Sequence, residues 1–286
     1  MFITGAAFTR RAFAVFLEPQ STRILPGLMA NLNRTNNPQK HIMKYNTKWL
    51  AAPLGIASGL FIASSAMAAT VLIDFGNNTS FRGVSVPNPD PNGNFWNSLQ
   101  PGLFYQNLVG TSNTATTIDL GFSTPVGTDS YNGPAGVTSD PPTAAEIAAT
   151  DIDTAALGIL GVKEAAFDYA ATPAPNTPAR FEIQQLDPTK RYNLTFFGSH
   201  KYNTNDTTTY SIYTDNTYTT LVSSVNLFVG SGNTHNRDQV AVLNNIAPQT
   251  SNILYVQFFG AGGSGEGYLN SMSLSVVPDP SVWDGG

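Results

Sequence analysis

The chain has no cysteine, so a disulfide framework, a thiolate metal site and a cysteine nucleophile are all excluded. Histidine is nearly as scarce, with only His200 and His235 beyond residue 68. Catalytic zinc centres draw on two or three imidazoles, which that supply nearly rules out. Positive charge is also short there. Residues 69–286 carry seven Lys and Arg against eighteen Asp and Glu, a balance of −11. A surface of that sign attracts neither nucleic-acid phosphates nor anionic lipid headgroups. No nucleic-acid partner is expected.

The first 68 residues reverse the balance, with seven basic residues against Glu18 alone. Lys44 and Lys48 precede the apolar run Leu50–Ala63, and Ala66-Met67-Ala68 follows. Basic, apolar and small-x-small regions in that order read as a secretory signal over 43–68, cleaved after Ala68. Trp49–Ala69 is also long enough to cross a bilayer, but its Ala, Ser and Gly content and the Ala-x-Ala site favour cleavage. No membrane insertion is then expected of the exported protein. Residues 1–42 show no apolar periodicity and stand upstream of a complete signal, so they read as an unstructured extension from too early a start, with Met43 the true one.

What remains is punctuated by 21 glycines and 15 prolines, above the usual background of about 12%. Between them run short alternating segments rich in Val, Ile, Thr, Tyr and Phe, which is the strand signature. Strands are expected at 70–75, 103–109, 116–122, 164–169, 179–185, 192–198, 208–214, 218–222, 239–243, 253–260 and 268–276. Tyr192, Leu194 and Phe196 alternate with polar residues, Ile253–Phe259 is apolar enough for a central strand, and Met272, Leu274 and Val276 share one face. Thr143–Leu160, rich in Ala, Glu, Ile and Leu after Pro141-Pro142, predicts one or two short helices. The expectation is one all-β domain over 69–276, a two-sheet β-sandwich or jelly roll with those helices inserted around 143–160.

Val71-Leu-Ile-Asp74-Phe75-Gly76-Asn77 after the signal, then Phe95-Trp96-Asn97, then Thr117–Phe122, resembles secreted bacterial β-sandwich proteins. Phe181–His200 and Gly267–Leu274 are similar to their core strands. These proteins resemble the galactose-binding-like and malectin-like sandwiches found beside carbohydrate-active enzymes. The tail 277–286 opens with Val277-Pro278-Asp279-Pro280-Ser281, which resembles the start of a PEP-CTERM sorting signal. Asp279 stands where that motif has glutamate, and neither an apolar helix nor an arginine cluster follows. That likeness implies export and a place in extracellular matrix with exopolysaccharide.

For chemistry, Ser199 and His200 are adjacent, so on a strand they point to opposite faces and cannot pair. No Gly-x-Ser-x-Gly elbow occurs. A lyase or esterase reading would rest on His200, Lys201 and Tyr202 in one loop. Glycan binding would use rings and hydrogen-bonding groups in the loops at one end of the sandwich: Trp96, Asn97, Tyr131, Asn132, Tyr202, Arg237 and Asp238. Asp90-Pro-Asn92-Gly-Asn94 alternates oxygen ligands as calcium loops do, which leaves room for a structural Ca2+ and no other cofactor. The expectation is a secreted, non-catalytic protein binding polysaccharide or extracellular matrix. Its competitors are a structural biofilm-matrix protein with no small ligand, and the His200 enzyme.

Overall fold

The computed structural model describes residues 70–130, 137–201, 206–232 and 234–277. The expected extension, signal and sorting motif lie outside these residues, apart from Val277. In chain order the strands are β1 (Thr70–Asp74), β2 (Asn97–Ser98), β3 (Phe104–Tyr105), β4 (Asp119–Phe122), β5 (Gly127–Asp129), β6 (Tyr169–Ala171), β7 (Ala179–Gln184) and β8 (Tyr192–Phe197). They continue with β9 (Asp206–Tyr213), β10 (Leu221–Ser231), β11 (Thr234–His235), β12 (Ala241–Ile246), β13 (Leu254–Gly260), β14 (Tyr268–Leu269) and β15 (Ser271–Val276). Two short helices, α1 (Ala144–Ala148) and α2 (Lys163–Phe167), fall between β5 and β6, with a 3-10 turn at Gly158–Leu160.

A five-stranded sheet ordered β12-β8-β15-β1-β2 faces a seven-stranded sheet ordered β11-β10-β9-β13-β7-β4-β3. A small third sheet, β14-β6-β5, stands beside them. This is the expected all-β sandwich. Alternation decides what each strand buries. Val71, Ile73 and Phe75 of β1 and its exit join Leu194, Phe196, Met272 and Leu274 against Phe181, Ile183, Val256 and Phe258 of the opposite sheet. Each such side chain contributes about 1.5–3 kcal/mol on leaving water. The expected central position of the Ile253–Phe259 run is found: β13 lies between β9 and β7.

The five-stranded sheet is covered on its other face as well. Leu72 and Phe197 pack there with Val86, Trp96, Leu157, Leu160, Val162, Ala165 and Ala166. The 84–96 loop, the 3-10 turn and α2 therefore make a third layer. Here the structure corrects one expected element: 164–169 is not a strand. Lys163-Glu-Ala-Ala-Phe167 is helical, because alanine and glutamate are strong helix formers and one turn of helix buries Ala165, Ala166 and Phe167 completely. β10 is the second difference. It begins at Leu221, not Tyr218, and runs for eleven residues. Tyr218 sits at φ 53° in the preceding turn. The helices expected around 143–160 are present, α1 being opened by a capping box between Thr143 and Glu146.

Candidate functional site

An open cleft of about 920 Å³ lies between the Asp90–Asn94 turn and the helical layer. Asn92 and Asn94 form one wall, Ile147 of α1 and Ile159 of the 3-10 turn face it, and Lys163 and Glu164 of α2 contribute the charges. The turn owes its shape to Asp90. Its Oδ1 accepts from the backbone N–H of Asn92 and of Asn94, both at 2.8 Å. Gly93 takes the left-handed conformation that the turn requires, at φ 86°. Oδ2 accepts from the Trp96 indole N–H at 2.9 Å. Burial alone would raise the Asp90 pKa, yet the bonds from Trp96, Asn94 and Asn92 hold it below the ordinary carboxylate value.

That arrangement bears on two expectations. Trp96 is 1% exposed and is a core residue of the third layer, so it offers no ring face to a sugar. The tryptophan served a packing role because the loop around it needed an apolar plug. Asp90 spends both carboxylate oxygens on the turn and on Trp96, which leaves them committed rather than free for calcium. Among the described residues no group of three or more His, Asp or Glu is placed to hold a metal ion.

The other expected residues scatter. Asn97 is a strut: its amide donates to the carbonyls of Leu72 and Val109 and its oxygen accepts from Val109 N–H, all at 2.9 Å. Arg237 is exposed and pairs with Asp151 at 2.6 Å, and Asp238 is exposed beside it. Tyr131, Asn132 and Tyr202 lie outside the described residues. His200 is not among the residues that line this cleft. It is 5% exposed, stacked on Tyr268 with ring centroids 4.3 Å apart and edge-on to Tyr169 at 5.2 Å. Burial pushes its pKa down to about 4, against a small opposing pull from Glu266. Lys201 is half-buried next to it and, after burial itself, adds to the lowering of the His235 pKa.

Sequence reading missed a second buried polar group. Asp74 ends β1 on the same face as Leu72 and is wholly buried, as are Asp168 and Ser271. β1 and β15 pair Asp74 with Ser271, and β1 and β2 pair it with Ser98. Asp168 Oδ2 accepts from Val84 N–H at 2.9 Å. Both oxygens of Asp74, Oδ1 of Asp168 and the Ser271 hydroxyl have no hydrogen-bond partner of ordinary geometry among the described residues. Burial, then the Asp168 charge, pushes the Asp74 pKa well above the carboxylate range; the nearby Ser98 hydroxyl and Val86 N–H, although not at ordinary hydrogen-bond geometry, oppose this, and Glu164 adds to it. The Ser98 hydroxyl accepts from Val86 N–H at 3.0 Å, which leaves its own proton for Asp74. Burial likewise raises the Asp168 pKa, to about 8. The only signal in the sequence was an aspartate inside the apolar run Val71-Leu-Ile-Asp74-Phe75.

No protein-family model and no curated protein matches the chain. Among solved structures, the enzymatically active domain of bacteriophage CBA120 tailspike protein 4 is similar over 56% of this chain and 19% of that chain, with 16% identity and a TM-score of 0.29. This chain thus spans under a fifth of that protein's length, and a likeness of that size carries no argument about function. Among the described residues no helix is long and apolar enough to cross a membrane.

Proposed function

We propose that this is a secreted, non-catalytic protein that binds polysaccharide or extracellular matrix, with the cleft between the Asp90–Asn94 turn and the helical layer as its saccharide seat. Export would follow from the signal over 43–68. The cleft is the observation that carries the reading. Its volume of about 920 Å³ falls in the range of about 300–1,000 Å³ that suits a small ligand. The amides of Asn92 and Asn94 and the carboxylate of Glu164 match sugar hydroxyls, while Ile147 and Ile159 offer aliphatic surface to C–H faces. Among the described residues the lining has no aromatic ring, so hydrogen bonding rather than stacking would supply most of the affinity. Weak binding that grows with chain length is the expected behaviour.

Two features speak against catalysis at the expected histidine. A general base works best with a pKa near the operating pH, whereas that of His200 is about 4. Its ring is also enclosed by Tyr169 and Tyr268.

Affinity electrophoresis of the purified protein through gels containing neutral or acidic polysaccharides tests the reading, with reducing-end release assayed in parallel. Retardation without release is expected. Ala155 lines the cleft from an exposed position, so Ala155→Trp should fill it and restore mobility. Chain cleavage would replace this proposal with the lyase reading. Unaltered mobility across a broad panel would leave the structural matrix role as the better account.

A further inference from the structure

We propose that Asp74, Asp168 and Ser271 form a binding site for one hard divalent cation of the Ca2+ class, buried between the outer face of the five-stranded sheet and the 76–86 loop. The proposal is independent of the saccharide reading and concerns different residues from the Asp90 turn.

The donor set carries it. Asp168 Oδ1 and the Ser271 hydroxyl, both buried, have no hydrogen-bond partner among the described residues, and neither oxygen of Asp74 has one of ordinary geometry, its nearest donors being the Ser98 hydroxyl and Val86 N–H. Directly paired residues of adjacent strands point to the same side of a sheet, so the β1–β15 register aims Ser271 Oγ and the Asp74 carboxylate into one space. Buried polar groups are nearly always satisfied, and each exception calls for an explanation. Burying two carboxylates side by side is costly without positive charge close by, and a divalent cation would neutralise the pair. Carboxylate and hydroxyl oxygens select hard cations over zinc or copper, and no imidazole or thiolate belongs to the group.

The backbone has been thinned to admit one ligand. A Cβ on Gly76 would lie 1.9 Å from Asp168 Oδ2, and one on Gly83 would lie 2.9 Å from the same atom. These glycines are needed for space, since neither has a positive φ. Glu164 completes the charged surroundings: it lines the cleft and its charge acts on Asp74.

The experiment is calcium titration by calorimetry of the full chain after EDTA treatment and dialysis, repeated with Mg2+ and Mn2+, with thermal melts alongside. One Ca2+ per chain and a higher melting temperature are expected. Asp74→Asn and Asp168→Asn should each weaken Ca2+ at least tenfold, Ser271→Ala several-fold, and the exposed Asp153→Asn not at all. Should the aspartate variants fail to fold, Tb3+ luminescence of the wild type serves instead. Trp96 packs in the same buried layer, so indole-excited emission should appear, be displaced by Ca2+ and vanish in Trp96→Phe. No heat, no melting shift and no sensitised emission with any of these ions at millimolar concentration would overturn the proposal. So would one-to-one binding that survives Asp168→Asn, or emission indifferent to Trp96→Phe.

Discussion

Asp168 and Tyr169 are neighbours in the chain, and they look into two buried polar groups of opposite character. Tyr169 joins an aromatic group in which every ring is stacked or edge-packed: His200 on Tyr268, and Tyr169 edge-on to both. The phenol of Tyr268 donates to Glu266 at 2.5 Å. Asp168 joins Asp74 and Ser271, where oxygens outnumber donors. Asn270 holds the two apart, its amide donating to the carbonyls of Ala166 and Asp168 and its oxygen accepting from Ser199 N–H. The first group keeps its histidine neutral by burying it among rings. The second stores negative charge or protons. Burial lowers the pKa of the base in one and raises those of the acids in the other, so the same physical cause gives the two regions opposite responses to pH.

The largest effect should come from dismantling the aromatic side. Tyr268→Ala removes the ring on which His200 stacks and leaves a cavity in the main core, which should lower unfolding free energy by about 3–5 kcal/mol. Tyr268→Phe keeps the ring and loses the bond to Glu266, for about 1 kcal/mol. Urea unfolding of both variants gives the comparison. A loss near 1 kcal/mol for both would mean that the stack contributes nothing.

Next in size is the pH response of His200. Its folded pKa of about 4 lies below the unfolded value of about 6.5. Between these limits the unfolded chain binds a proton that the folded protein refuses, so stability rises with pH. The contribution is complete above pH 6.5 and is lost as pH falls toward 4, amounting to about 3 kcal/mol at most. His200→Phe preserves a flat ring without titration. Wild type should lose more stability than this variant between pH 7 and pH 4, whereas parallel curves would show that the imidazole is not desolvated in the folded state.

The contrast also explains what could be read from the sequence. Strands of the main core were legible because alternation such as Tyr192, Leu194 and Phe196 follows directly from burying one face. The third layer was not. Nothing local tells a short segment such as Lys163–Phe167 that a sheet's outer face awaits it, and a single helical turn carries too few residues to display a 3.6 period. Trp96 was misjudged for the same reason: a loop tryptophan looks like a binding platform unless the layer that encloses it is known. Every two of Asp74, Asp168 and Ser271 lie more than 90 residues apart in the sequence, and the β1–β15 register that sets Asp74 beside Ser271 is not legible in it. Residues such as Arg237 and Asp238 were correctly placed at an exposed turn, which exposure alone does not turn into a site.

The smallest effect sharpens the comparison most, because it touches one group and spares the other. Gly76→Ala adds a methyl carbon where the carboxylate of Asp168 already sits, at 1.9 Å to Oδ2 and 2.1 Å to Cγ. Real contacts never approach so closely, so Asp168 must withdraw or the 76–83 backbone must shift. Overpacking of this kind costs about 1–3 kcal/mol, and relief by rotation of one side chain puts the value at the lower end. The aromatic group lies beyond Asn270, so the near-UV circular dichroism of the tyrosines should keep its shape while unfolding shifts to lower urea. If Gly76→Ala instead altered the aromatic spectrum, the two groups would be one cooperative unit, and Asn270 would transmit strain between them rather than separate them.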